Sequence, residues 1–230
     1  MSTLQFFKDI VEDEAMKPLL SNVAEIVCYG IGSLASSKKC QEQLSLIVAL
    51  RHHFKIDSPM YIFDPVMSEN DVKLVAQLGF TMITNNEEAK RKVAMKDGPA
   101  SEAGRGITIF YMPFCSRKLY DNLLWANWSL DALQRCFIMG NSFNRYNEFH
   151  LPPQESYRPY SYTSKAYGHY QEQMFPTNYP TNLYTFHELS FHWFTPSHLQ
   201  SLDSNYWLSC PEPPSITDDP EVVSASSQTQ

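Results

Sequence analysis

The stretch Ile26-Val27-Cys28-Tyr29-Gly30-Ile31-Gly32-Ser33-Leu34-Ala35 decides the fold. Four β-rich apolar residues run directly into a glycine turn of the form G-x-G-x-x-[GA], with Ala in the last place. Beyond it, Cys40, Leu44, Ile47 and Val48 recur at helical spacing and predict a helix from about Ser37 to Phe54. Strand, glycine turn and helix open a βαβ unit, and the chain repeats the alternation outward from here.

Met60-Tyr61-Ile62-Phe63 reads as a second strand, stopped by Asp64-Pro65. Ser68-Glu69-Asn70-Asp71 has the form of a capping box, with Val72, Val75 and Leu78 on one face of the helix it starts. Gly79 suits the left-handed residue after that helix. Phe80-Thr81-Met82-Ile83 is a third strand, a short charged helix is expected over Asn86 to Val93, and Lys96 to Gly106 reads as a loop. Ile107 to Met112 is the clearest strand. Ser116 is placed to cap a helix carrying Leu119, Leu123 and Leu124, and Cys136 to Met139 forms a fifth strand ended by Gly140. Nearly continuous apolar strands suit a parallel sheet covered on both faces. The expected fold is α/β: a Rossmann-like, doubly wound, mostly parallel sheet in the order 3-2-1-4-5 with helices on both faces.

Composition divides the chain. Residues 1–149 carry 16 Lys and Arg against 17 Asp and Glu, whereas residues 150–230 carry 2 against 8 with 10 of the 15 prolines and 8 of the 13 tyrosines. We therefore expect a core over 1–149 and a Tyr/Pro-rich extension over 150–210. Within the extension, residues 151–182 read as an extended arm and a strand returns to the sheet edge near 187–194. A disordered tail is expected over 211–230. A net charge of −7 argues against general nucleic-acid binding, which needs clustered cations. Lys90-Arg91-Lys92 is short and flanked by acids, so it reads as a solvated face. Five scattered cysteines without C-x-x-C spacing argue against a disulfide framework or a zinc site. No signal peptide and no membrane span are read, and the expected location is the cytoplasm, with the nucleus left open.

Candidate chemistry gathers at the carboxyl ends of the strands. Gly30, Gly32 and Ser33 offer close backbone approach and unpaired N–H groups to a phosphate or carboxylate. Asp64 ends the second strand, where an acid binds ribose hydroxyls in dinucleotide sites. Asn141 and Ser142 follow the fifth strand at the same edge. Together these six residues form a candidate nucleotide- or adenosyl-binding edge. The same glycines also serve a tight βα connection without any ligand, and Asp64-Pro65 also starts a turn. Gly30→Val is expected to abolish ligand binding while sparing the fold. Trp125 and Trp128 read as packing residues, with Asn127 placed beside Asn141 at the carboxyl edge. His187 and His192 would point to opposite faces of a strand, which argues against a shared metal. Cys115 reads as a buried thiol. No G-x-S-x-G elbow, Walker A motif or carboxylate pair is present.

Several segments resemble the sensitivity-to-red-light-reduced (SRR-like) family. They are Cys28-Tyr29-Gly30-Ile31-Gly32 with Gln43-Leu44, Phe63-Asp64-Pro65-Val66, Leu78-Gly79, and Asn86 to Arg91. The series continues with Phe110 to Cys115, Leu119 to Trp128, Ile138 to Phe143 and Phe191 to Phe194. The Leu124-Trp125-Ala126-Asn127-Trp128 run is the most specific. The resemblance implies a regulatory protein tied to circadian control, plant light signalling and heme biosynthesis. It brings no catalytic mechanism, so no catalytic residue and no required cofactor are carried over, and the reading leans towards a non-catalytic protein. Two departures stand out. Phe114 occupies the place of the family's usual His, and Glu87-Glu88-Ala89 stands for its Glu-Glu-Gly, which suggests a normal helix there. The alternative is a ligand-binding Rossmann protein or enzyme, in the leading case an S-adenosylmethionine-dependent methyltransferase. Melting-point shifts with nucleotides would favour the alternative. A protein partner lost on deleting residues 151–182 would favour the regulatory reading.

Overall fold

The computed structural model describes residues 8–10, 12, 16–94, 106–148, 161–176, 183–208 and 210–214. After a short helix α1 (Met16–Leu20) come β1 (Val23–Tyr29), α2 (Lys38–His53), β2 (Met60–Phe63), α3 (Glu69–Gln77) and β3 (Phe80–Met82). The second half of the core holds β4 (Ile107–Met112), α4 (Arg117–Ala126), α5 (Leu130–Leu133), β5 (Cys136–Asn141) and α6 (Phe143–Glu148). Then follow α7 (Tyr162–Lys165), β6 (Gln171–Met174), α8 (Leu183–Phe186), β7 (Leu189–Trp193), α9 (Pro196–Gln200) and α10 (Ser204–Leu208). The sheet order is β3-β2-β1-β4-β5-β7-β6, parallel through β5, with β7 antiparallel to both β5 and β6.

Every residue of β1 and β4 is buried, as strands covered on both faces require. Alternate residues serve opposite cores. Ile26, Cys28, Ile109 and Tyr111 pack with Leu44, Ile47 and Leu50 of α2. Val27, Tyr29, Phe110 and Met112 pack with Tyr120, Leu123 and Leu124 of α4 and with Trp128 and Tyr162. Ser37 caps α2 by accepting from Cys40 N–H at 3.3 Å. Ser68 and Asp71 form the expected capping box, and Gly79 adopts φ +88°.

Several expectations are corrected. Asn86 to Val93 is not helical: Glu88 and Ala89 are left-handed, at φ +48° and +57°, so the segment is a turn and not the helix that Ala89 suggested. Polar clamps hold this segment across the sheet in place of a helix. Asn127, 1% exposed, accepts from Val93 N–H at 2.9 Å and donates to Arg91 C=O at 2.9 Å, and Asn122 donates to Glu88 C=O at 2.9 Å. Asn127 therefore lies near the start of β4, at the amino end of the sheet, far along the strand from Asn141. Of the expected loop, residues 96–105 lie outside the described residues. Ser116 occupies the N-cap of α4 without making a cap bond. Gly140 does not end β5: the strand continues through it to Asn141, and glycine stands there because a Cβ would collide with the Tyr120 ring.

The edge strand is also corrected. Leu189–Trp193 is internal, and the edge is Gln171–Met174, within the stretch read as an extended arm. The compositional boundary near Phe149 thus falls between strands of one sheet, and deleting 151–182 would remove α7 and β6. Of the tail, only 211–214 is described.

Gly140→Ala should lower stability by about 1–3 kcal/mol, the usual cost of overpacking a filled core. The check is a lower denaturant midpoint at unchanged m-value. A strand that ended at Gly140, free of Tyr120, would tolerate the methyl group.

Candidate functional site

The glycine turn follows β1 and is left-handed twice, at Gly30 (φ +70°) and Gly32 (φ +82°). A Cβ on Gly30 would lie 2.5 Å from Cys115 Sγ, so Gly30→Val does not spare the fold. The turn's donors point at the protein's own carboxylates. Gly32 N–H donates to Asp64 Oδ2 at 2.7 Å, while the other Asp64 oxygen accepts from Val66 N–H at 2.9 Å. Ala35 N–H and the Ser33 hydroxyl donate to Asp71 at 3.0 and 3.3 Å. The bond from Ser68 N–H is the first cause that holds the Asp71 carboxyl below its ordinary range. The Ser68 hydroxyl, Ala35 N–H and Ser33 hydroxyl add to it against burial. Helix α2 starts only at Lys38, under its own Ser37 cap, so its amino end does not open directly onto Gly32.

Asn141 and Ser142 end β5 two strands away. Asn141 is spent inside the protein: Oδ1 accepts from Phe114 N–H at 2.8 Å, and Nδ2 donates to Cys115 C=O at 3.0 Å and to the Tyr146 oxygen at 2.7 Å. The Ser142 hydroxyl donates to Glu172 Oε1 at 2.5 Å and accepts from Arg145 N–H at 3.2 Å, capping α6. Glu172 also accepts from the Ser190 hydroxyl at 3.0 Å and Asn144 N–H at 2.9 Å, and lies 3.4 Å from His192 Nε2. Burial pushes its carboxyl up, but His192, Ser142 and Asn144 outweigh that and hold it at about 2. Serine, imidazole and carboxylate meet here in the wrong order for a nucleophilic triad, because the serine faces the carboxylate. His192 is 0% exposed.

Between these two features lies a cleft of about 200 Å³ lined by Phe114, Asn141, Ser142, Arg145, Tyr146, His187 and Glu188. Phe114 and Glu188 on its walls are both left-handed, at φ +58° and +60°. Arg145 pairs with Glu188. Burial raises the Cys115 thiol well above its ordinary range, and its Sγ faces Tyr29 C=O, as a packing thiol does. Among the described residues, no group of three or more His, Cys, Asp or Glu side chains is placed to hold a metal ion, and no helix is long and apolar enough to cross a membrane.

The structure brings Gly30, Gly32, Ser33 and Asp64 together as one hydrogen-bonded corner, and sets Asn141 and Ser142 in a separate one. Arg145, Tyr146, Glu172 and Glu188 were not legible as site residues. No pattern read from the sequence pointed towards them.

The SRR1 domain model matches residues 7–193. The chain belongs to the SRR1 domain family. The SRR1-like protein of Mus musculus is 38% identical over 137 residues, 58% of this chain and 51% of that protein. The Arabidopsis thaliana protein Sensitivity to Red Light Reduced 1 is 36% identical over 125 residues, 54% of this chain and 42% of its own length. The SRR1-like protein of Drosophila melanogaster is 24% identical over 206 residues, 87% of this chain and 68% of that protein. The chain thus spans about half the length of the first two relatives. No solved structure matches it. The SRR1 domain match ends at the last residue of β7, so it takes in both antiparallel strands and the Glu172 cluster.

Glu172 has a testable consequence. Its carboxyl falls from an ordinary value of 4.5 to about 2 on folding, so its contribution is complete above pH 4.5 and is lost as pH falls towards 2. Wild-type protein should therefore lose on the order of 1–2 kcal/mol relative to Glu172→Gln across that window, after allowance for partial solvent screening. Denaturation midpoints measured at both ends of the window check this. Parallel curves for the two proteins would contradict it.

Proposed function

We propose that this chain is a non-catalytic regulatory protein of the SRR1 domain family, acting in circadian and light-linked control and in the regulation of heme biosynthesis. The name of the Arabidopsis relative supports the light-linked part. Because the chain spans only part of its longer relatives, their activity is extended to it as a proposal. Action through a protein partner, in the cytoplasm and also the nucleus, goes with this reading.

The observation that carries the non-catalytic part is the closed glycine turn. Gly32 N–H is held by Asp64 and Ala35 N–H by Asp71. A phosphate or an amino-acid carboxylate bound there would displace both bonds and sit beside two negative charges, a like-charge arrangement that disfavours the complex. A nucleotide-binding protein or S-adenosylmethionine-dependent methyltransferase is the second reading. The two left-handed glycines at the carboxyl end of β1, the turn form that dinucleotide sites use, are the observation that favours it.

Thermal denaturation of the full chain tests the choice. A ligand at a hundred times its Kd adds about 2.7 kcal/mol and raises the melting temperature by several degrees. The expected result is an unmoved melting temperature with S-adenosylmethionine, NAD and ATP. A rise of several degrees with any of them, lost in Asp64→Ala, overturns the non-catalytic reading. The regulatory part is checked in host cells lacking the protein: rhythm period and heme-pathway transcripts should shift, and the Asp64→Asn chain should restore both. Unaltered rhythm and transcripts on removal would overturn it.

A further inference from the structure

We propose that the cleft between Phe114, Arg145, Tyr146 and Glu188 binds a small organic carboxylate with a planar apolar body, which enters by displacing the Glu188 carboxylate from Arg145. The cleft uses no atom of the glycine turn, so the proposal holds whether or not that turn admits a nucleotide.

Its position is the first argument. The cleft sits where the carboxyl ends of β4 and β5 meet the start of β7, the rim at which open α/β sheets take ligands. Its volume sets the class. About 200 Å³ is below the roughly 300–1,000 Å³ of sites that enclose drug-sized ligands, so what the cleft itself can enclose is about one ring and its carboxylate.

The backbone around it is strained on both sides. Phe114 and Glu188 are left-handed without being glycine, and both are pinned: Phe114 N–H by Asn141 Oδ1 at 2.8 Å, Glu188 C=O by Ser142 N–H at 3.0 Å. Strain of this kind persists where the surroundings impose it and gathers at ligand sites. Here its effect is visible. It turns the Phe114 ring outward, 41% exposed, and sets the Glu188 carboxylate against Arg145.

The polar groups define what fits. Asn141 and Ser142 have spent their side chains on internal bonds. The Tyr146 oxygen accepts from Asn141 Nδ2, which leaves its own proton to donate. Burial pushes this phenol up to about 12, so it is a neutral donor at physiological pH. Arg145 supplies the positive charge and already holds a carboxylate, that of Glu188. Both partners are half-exposed, at 36% and 42%, and a pair so placed contributes little, so exchanging one carboxylate for another costs little. Lys39 sets a second cation over the Phe114 ring, with Nζ 3.3 Å from its centroid. His187 lies 3.6 Å from Glu188 and Arg117 packs on the Tyr146 ring, so Glu188 is the one acid facing the cleft among its described lining residues. The Phe114 and Tyr146 rings supply the apolar walls.

The probe is benzoate, with benzamide as its neutral isostere, titrated into the full chain and followed by backbone and side-chain amide NMR. Benzoate should produce saturable shifts at Asn141 and the Phe114 amide. Benzamide should bind roughly tenfold more weakly, as expected when a charge-assisted contact is lost. Removing the internal competitor with Glu188→Gln should tighten benzoate about threefold, in the range of an exposed ion pair. Arg145→Met should weaken it roughly tenfold, and Tyr146→Phe gives an independent loss if the Arg145 variant folds poorly. Equal binding of benzamide, unchanged affinity in Arg145→Met and Tyr146→Phe, or no saturable shift at the rim would each overturn the proposal. A missing response to S-adenosylmethionine leaves it untouched, so the two readings fail separately.

Discussion

Backbone N–H groups at the carboxyl rim of a buried parallel sheet must find acceptors, and the bond from Gly32 N–H to Asp64 is how this protein meets that demand at its first crossover. The strands are covered on both faces, so the rim is where the main chain leaves the sheet with donors unspent. In a dinucleotide protein a phosphate takes them. Here Asp64 at the end of β2 and Asp71 at the start of α3 take them instead, which ties β1, β2 and two helices into one corner. The geometry that resembles a ligand site is thereby a source of rigidity.

The same rule organises the other end of the rim. Beyond β5 the sheet turns antiparallel, and Glu172 on the edge strand collects donors from Ser142 just after β5, from α6 and from β7. One buried carboxylate with this many partners offsets its desolvation and locks the register of an otherwise polar edge strand. Between the two carboxylate-centred corners, the main chain at Phe114 and Glu188 is forced left-handed and a cleft remains. The fold leaves a lined cleft there, with the Arg145–Glu188 pair on its wall.

Much of this was legible in the sequence. Nearly continuous apolar runs and a 3.6-residue helix pattern located β2, β4 and α2 to within a residue and β1 to within three, and the strand order followed from the alternation of strands and helices. The failures share a cause. Asn86 to Val93 has helical composition, yet Asn122 and Asn127, more than thirty residues away, satisfy its backbone without a helix. Gln171–Met174 has no apolar pattern, because the side chain that ties it to the sheet is the Glu172 carboxylate, satisfied by distant donors. Gly140 looks like a stop and is a clearance for Tyr120. Of the candidate site residues, the glycines and Asp64 do meet, but what they meet is each other.

The sequence by itself determined the layer order, the parallel core and the family, because those rest on local periodicity and short motifs that neighbours in the chain can satisfy. Only the tertiary structure decided which groups at the rim are spent and which face the cleft. That depends on hydrogen bonds between residues tens of positions apart, such as Gly32 with Asp64, Ser142 with Glu172 and Arg145 with Glu188. No local pattern records such pairings, since each partner looks like an ordinary turn or surface residue until the chain has closed around it.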